Sequence, residues 1–152
     1  MGLGVGIGLA FIYGGNVLGR VDVFLAPRVI ATVEGRIGEA CYYDCQTWRG
    51  GNLSLSILLR DTFFVRAGAG VRSVNGDHSP LDTGETAHEK FRTVDVSLGL
   101  GNRWDWRTSF VSLDWVGFDV PASSSSSTDD PRVRLGGAPW EIRSSVTFGV
   151  AF

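Results

Sequence analysis

The sequence lacks the long apolar runs that carry a helix across a membrane. No stretch approaches the roughly 18 consecutive apolar residues that such a helix needs, although 43% of the 152 residues are hydrophobic and only 20% are charged. This argues against a helical membrane protein. A closed β-barrel is the other structure that can span a bilayer, because it pairs every backbone N–H and C=O within the protein.

The sequence also shows no cluster of positive charge, no pattern of a signal segment after Met1, and only two cysteines. The net charge is −2 and the basic residues are scattered, so we expect no nucleic-acid partner. No basic segment or cleavage site follows Met1, and on a barrel interpretation we expect a mature sequence to which an initiator Met has been added. The two cysteines are Cys41 and Cys45. A periplasmic or surface location would permit their oxidation, but their spacing leaves a disulfide and two free thiols equally open.

What the sequence has in excess is glycine, with 21 residues, and a strict two-residue alternation. The clearest case is the stretch from Trp140 to Phe152, where one face is bulky and apolar and the other is small, polar or charged. Alternation of this kind predicts a β-strand. A bulky apolar face opposite a small polar one is typical of a strand with lipid outside it and a narrow polar lumen inside.

Seven earlier stretches show the same alternation, so the sequence predicts eight strands. Their approximate bounds are 3–13, 17–25, 29–37, 53–60, 63–73, 91–101, 106–120 and 140–152. Pro27 separates the second strand from the third, since proline cannot donate to a ladder. In the seventh strand the alternation blurs after Val116.

The connections between these strands alternate in length. After a tight hairpin at Gly14-Gly15, short turns at Pro27, Asp61 and 103–105 alternate with polar loops at 39–51, 74–90 and 121–139. This rhythm predicts a single domain, residues 1–152, that folds as an all-β, eight-stranded antiparallel up-and-down transmembrane β-barrel with both termini in the periplasm.

Gly-rich amphipathic strands, alternating turn lengths and the terminal Phe152 make the whole chain resemble the small eight-stranded bacterial outer-membrane barrels, such as the OmpA transmembrane domain and OmpX. The resemblance implies a monomer in the outer membrane whose partners are outer-membrane lipids, lipopolysaccharide and, through the last strand, the barrel-assembly machinery. It says little about activity, because this architecture hosts structural proteins, adhesins and enzymes.

The inward faces of the predicted strands collect most of the charge. These residues are Arg20, Asp22, Glu34, Arg36, Arg60, Arg66, Arg72, Asp95, Asp114 and Arg143. The interior of an eight-stranded barrel is just wide enough to be filled by side chains, and unpaired buried charges are costly. The pattern therefore predicts an ion-pair network that plugs the lumen, with a narrow conducting path as the alternative.

Aromatic residues are expected to form girdles at the two membrane interfaces. The predicted topology places one set near the periplasmic strand ends, namely Phe24, Phe63, Trp104, Trp106 and Phe152. The other set lies near the outer ends, namely Tyr13, Trp115 and Trp140.

Little in the sequence favours an enzyme. The two histidines, His78 and His88, both fall in the polar loop 74–90, so a lipid A-modifying enzyme is only an alternative. The potential metal ligands there have no recognised spacing, so we expect a solvated acidic loop and neither metal nor cofactor. These ligands are His78, His88, Asp77, Asp82, Glu85 and Glu89.

The favoured function is therefore a non-enzymatic barrel whose external loops mediate surface interaction or envelope integrity. Arg92, Arg132 and Arg134 are candidates to contact lipopolysaccharide phosphates through charge-assisted hydrogen bonds. A soluble, lipocalin-like barrel is a further alternative, and it would require a bulky apolar interior.

Overall fold

The structure is a computed structural model, and it describes residues 2–11, 15–41, 45–78, 87–128 and 140–152. Within these ranges only the backbone is described at 15, 40–41, 45–46, 77–78, 87–89 and 128. Eight strands form: β1 Leu3–Phe11, β2 Gly15–Ala26, β3 Val29–Cys41, β4 Cys45–Leu58, β5 Phe63–His78, β6 Ala87–Asp105, β7 Ser109–Thr128 and β8 Glu141–Ala151. No helix in the described part of the chain is long and apolar enough to cross a membrane.

The strands follow one another in sequence order around a closed antiparallel barrel, as the sequence predicted. The first and last strands complete it, with Gly4 opposite Ala151 and Phe11 opposite Ser144. Beyond the last pair, the Phe152 amide donates to the Leu3 carbonyl at 2.8 Å, and the Leu3 amide donates to the Phe152 carbonyl at 3.2 Å. The final Phe is thus part of the closure of the barrel.

Both termini lie at the same end of the barrel, here called the terminal end, and the opposite end is the distal end. The connections at the terminal end are short: Pro27-Arg28, 59–62 and 106–108. The predicted turn at 103–105 is wrong, because β6 continues to Asp105 and the Arg103 side chain is buried in the lumen.

At the distal end the strands run further than the sequence predicted. Cys41 pairs with Cys45, β5 reaches His78, and β7 reaches Thr128. Gly15 pairs with Phe11 as the first residue of β2, so it is not part of a hairpin turn. The predicted loops were too long because polar composition indicates contact with water, and a ladder can continue into water with polar side chains.

An irregularity in β7 explains why the alternation blurs. Leu100 pairs with Val116 and Gly101 pairs with Asp114, so Trp115 is an extra residue in β7. Such a bulge places two residues opposite one and reverses the inside–outside order beyond it. Asp119 consequently faces the lumen.

The two faces of the sheet have the opposite polarity to a soluble barrel. Among the described side chains, the buried ones comprise six hydrophobic residues and 22 polar or charged ones, whereas many large apolar side chains are exposed. The outward apolar side chains of β6 extend from Val94 to Trp104. That stretch is about 33 Å long at about 3.3 Å per residue, or about 23 Å along a membrane normal at a tilt of about 45°. An outer-membrane barrel carries an apolar band of about 25 Å.

Candidate functional site

The predicted lumen residues, with one exception, come together inside the barrel. Nine of them are buried and take part in salt bridges: Arg20, Asp22, Glu34, Arg36, Arg66, Arg72, Asp95, Asp114 and Arg143. The exception is Arg60, which is exposed in the 59–62 turn. Its inward placement was wrong because β4 ends at Leu58, before the alternation reaches it.

Three further charged residues belong to the lumen: Arg103, Asp119 and Glu141. Arg103 was assigned to a turn, and the bulge at Trp115 hid the orientation of Asp119. Glu141 lies two residues before Arg143, on the same face of β8, so its position was readable from the alternation. With these additions the described part of the lumen contains six arginines and six carboxylates, and their charges balance.

The cluster nearest the terminal end is centred on the Asp22 carboxylate, which is fully buried. Arg20 donates to it through Nε at 3.0 Å, and the Thr32 hydroxyl donates at 2.7 Å. Arg103 also donates to Asp22, and through its Nε it donates to the Asp105 carboxylate at 2.9 Å. One carboxylate therefore holds two arginines that come from different strands.

Aromatic rings complete this end of the lumen. The Arg103 guanidinium lies 3.9 Å from the centre of the Phe110 ring and 5.0 Å from that of Phe24, within the range of cation–π attraction. Phe110 is 1% exposed. Its ring lies so close to Gly149 and Gly6 that a Cβ at either position would collide with it. Glycine is therefore required there by the close approach of the ring.

A second cluster lies further along the lumen. Arg66 forms a 2.7 Å ion pair with Asp114, and the Ser145 hydroxyl donates to the same carboxylate at 2.6 Å. Arg66 also donates to the Ser56 hydroxyl at 3.2 Å, and its guanidinium lies 5.0 Å from the Phe64 ring centre. Each polar group of the pair thus has a second partner, which offsets the cost of burying it.

The third and largest cluster fills the distal part of the lumen. Arg143 donates to Glu34 at 2.8 Å, and Arg36 donates to Asp119 at 3.0 Å. Arg36 also pairs with Glu141 at 3.4 Å. These contacts join β3, β7 and β8 into one network.

Arg72 and Trp48 extend this cluster. Arg72 donates to Glu141 at 2.7 Å and to Asp95 at 3.1 Å. Trp48 was predicted to lie in a loop, but it is a buried residue of β4, and the Arg36 guanidinium lies 5.5 Å from its ring centre.

Several of these pairs cross the full width of the barrel. Arg103 on β6 reaches Asp22 on β2, and Arg36 on β3 reaches Asp119 on β7. Strands four apart in a closed eight-stranded barrel lie on opposite walls. The side chains therefore meet in the middle of the lumen, as expected for a barrel of this size.

The predicted girdle residues are only partly where the sequence placed them. Trp104, Trp106, Trp140 and Phe152 are exposed, while Tyr13 lies outside the described residues. The position of Trp115 along its strand was wrong, whereas Phe24 does lie near the terminal end, beside Gly2, but does not belong to an outward girdle.

Trp115 contacts Phe63, the first residue of β5, with 5.9 Å between ring centroids. It therefore lies toward the terminal end, and its predicted outer position was wrong because β7 runs on to Thr128, well beyond the predicted end of the strand at 120. Phe24 stacks on Arg103 inside the barrel and is not a free interface aromatic.

The remaining predicted residues are described only in part. Cys41 and Cys45 face each other across the β3–β4 ladder, but their side chains are not described, so the disulfide stays a prediction. Asp77, His78, His88 and Glu89 lie on β5 and β6 with undescribed side chains, and Asp82, Glu85, Arg132 and Arg134 lie outside the described residues. The described side chains include no group of three potential metal ligands.

No protein-family model matches the sequence, and no curated protein does so. Solved structures do match. The N-terminal β-barrel domain of Pseudomonas aeruginosa OprF is 11% identical, with a TM-score of 0.61 over 99% of this chain and 97% of that one. A major outer membrane protein from Thermus thermophilus is 15% identical, with a TM-score of 0.61 over 99% of both chains.

A third match is Ail, the attachment invasion locus protein of Yersinia pestis. It is 5% identical, with a TM-score of 0.57 over 99% of this chain and 95% of that one. At such identities the likeness concerns the fold. The chain therefore has the fold of the small outer-membrane β-barrel proteins, as its strand pattern predicted.

Proposed function

We propose that this protein is a non-enzymatic barrel of the bacterial outer membrane, with a closed lumen and a structural or surface-interaction role carried by its distal end. The observation that carries the proposal is the combination of an apolar outer face with charge pairs that cross the interior. The outer face suits lipid, and the inner contacts fill the space that a solute would need.

The closed lumen distinguishes this proposal from a narrow channel. An open path would need a continuous water column past six arginines that are buried and paired with carboxylates. Single-channel recording in planar bilayers tests this directly, with the refolded protein and a known porin as the positive control. We expect no discrete conductance steps from the wild-type barrel. Regular conductance steps from the wild-type protein would instead support the channel.

The distal end is proposed to face the cell exterior, with both termini in the periplasm. About 9 to 11 residues suffice for a tilted strand to cross the bilayer, yet β5, β6 and β7 have 16, 19 and 20 residues. Because the turns at the terminal end are short, the surplus projects distally. This asymmetry matches short periplasmic turns and longer external segments.

Thiol labelling of whole cells tests the orientation. In a background with Cys41→Ser and Cys45→Ser, we expect Ser126→Cys on β7 to react with a membrane-impermeant maleimide. Arg107→Cys in the 106–108 turn is the matched control, which should react only after the outer membrane is opened. The reverse pattern would place the termini outside.

The proposed partners follow from this location. Outer-membrane lipids would cover the apolar belt, lipopolysaccharide would meet the distal rim, and the assembly machinery would recognise β8 with its terminal Phe152. The complete closure of the sheet between β1 and β8 supports a monomer, because those strands pair with each other and leave no edge to share.

A further inference from the structure

A groove crosses the outer face of the barrel where the apolar belt ends. The register places Ser73 on β5 opposite Arg92 on β6, and Arg92 opposite Ser125 on β7. Arg49 on β4 is the partner of Ser73 on the other side. These four residues form one cross-strand row, here called the rim row.

The groove has a polar half and an apolar half. On the distal side, Lys90 and Arg92 with the β7 hydroxyls of residues 125–127 line a polar hollow of about 380 Å³. On the belt side, Val71 and Val94 contribute to a hollow of about 420 Å³ whose lining is mainly apolar. Arg92 and Ser125 line both hollows, so the two adjoin at these residues.

The charges of the rim row, and of Lys90 next to it, differ from those of the lumen. Arg49 and Arg92 are exposed and Lys90 is half-buried. None of the three pairs with a carboxylate among the described side chains, in contrast to the lumen arginines, which form ion pairs. Neighbouring strands lie about 4.8 Å apart, so the backbones of Arg49 and Arg92, two strands apart, are about 10 Å from each other. Two guanidinium groups on flexible stems at that separation can grip one phosphate between them.

We propose that the rim row binds a phosphate of an outer-leaflet glycolipid, the phosphorylated glucosamine of lipid A, while one acyl chain lies over Val71 and Val94. The proposal rests on the orientation given above, which places the row at the outer leaflet. Guanidinium and serine hydroxyl donors suit a phosphate. The apolar hollow directly below them favours an anion that carries a hydrocarbon chain over a free anion in solution.

Native mass spectrometry of the refolded full chain in detergent, with purified diphosphorylated lipid A, provides the test. We expect Arg49→Gln/Arg92→Gln to bind about tenfold more weakly than wild type, as loss of charge-assisted hydrogen bonds predicts. Arg28→Gln/Arg107→Gln is the matched control, because it removes two arginines from the turns of the terminal end and should leave binding unchanged. Arg92→Lys should lie in between, since it keeps the charge but loses the planar donor fork.

Ligand variants separate the sources of the phosphate. We expect dephosphorylated lipid A to bind about tenfold more weakly than the diphosphorylated form, and inorganic phosphate at equal concentration not to compete. Equal binding of both lipids, equal binding by both double variants, or effective competition by inorganic phosphate would overturn the rim-row site. Each binding measurement is paired with gel mobility before and after boiling. A barrel that folds but does not discriminate contradicts this inference alone, whereas a chain that fails to fold in detergent contradicts the proposed function itself.

Discussion

Removal of the negative charge from Asp22 should be among the most damaging conservative changes in the lumen. The carboxylate is fully buried and receives hydrogen bonds from Arg20, Thr32 and Arg103. Arg103 would keep Asp105, but Asp22 is the carboxylate that pairs with Arg20 among the described residues. Asp22→Asn therefore removes the carboxylate with which the buried Arg20 forms its ion pair. Breaking a buried ion pair in this way costs about 3–5 kcal/mol.

The assay is reversible urea unfolding in lipid vesicles, followed by tryptophan fluorescence and by the gel mobility of unboiled samples. Asp61→Asn, in the exposed 59–62 turn, is the control and should change the free energy of unfolding by no more than about 0.5 kcal/mol. Arg20→Gln/Asp22→Asn restores charge balance and should recover at least half of the loss. If Asp22→Asn alone lowered the free energy of unfolding by about 1 kcal/mol or less, the reasoning would be refuted, because the charge of Arg20 would then be compensated by a group other than Asp22.

Two further experiments test the packing and the distal cysteines. Gly149→Leu should reduce the yield of folded barrel, because its side chain would occupy the space of the Phe110 ring and overpacking costs about 1–3 kcal/mol or more. Gly35→Leu is the control, since no atom lies within 4 Å of a Cβ built there; equal yields of the two variants would contradict the packing argument. For the cysteines, we expect a disulfide, because the backbones of Cys41 and Cys45 face each other across a ladder at a separation that a disulfide can bridge. Mass spectrometry of the unreduced protein should then show a mass two hydrogens below that of the reduced protein and no alkylation of either cysteine, whereas ready alkylation of both would show free thiols.

Strand existence and side-chain direction could be predicted from the sequence because both depend on a local period of two. Whether a side chain such as Arg20 or Asp114 faces the lumen follows from its place in the alternation, so this direction can be predicted without knowledge of distant contacts. The same local reasoning failed for Asp119, since the extra residue at Trp115 reverses the order and the blurred alternation after Val116 did not show where that residue lies.

The pairing within the lumen could not be predicted. It depends on the stagger between strands, which sets the height of each side chain in the barrel. Neither the pair between Arg36 and Asp119, which crosses from β3 to β7, nor the position of Arg103 between two rings follows from spacing in the sequence. Strand length at the distal end was also underestimated, because polar residues there continue the ladder beyond the apolar belt.

The central claim is that the apolar face of this sheet points outward to lipid and the charged face points inward. Refolding by dilution from urea, with and without detergent micelles, tests it most directly when far-UV circular dichroism and unboiled gel mobility are measured on the same samples. We expect a β-sheet spectrum and a distinct mobility in micelles, both lost on boiling, and aggregation in buffer alone. A monomer that is soluble and β-folded without detergent would contradict the claim, because a barrel with an exposed apolar belt should aggregate in water.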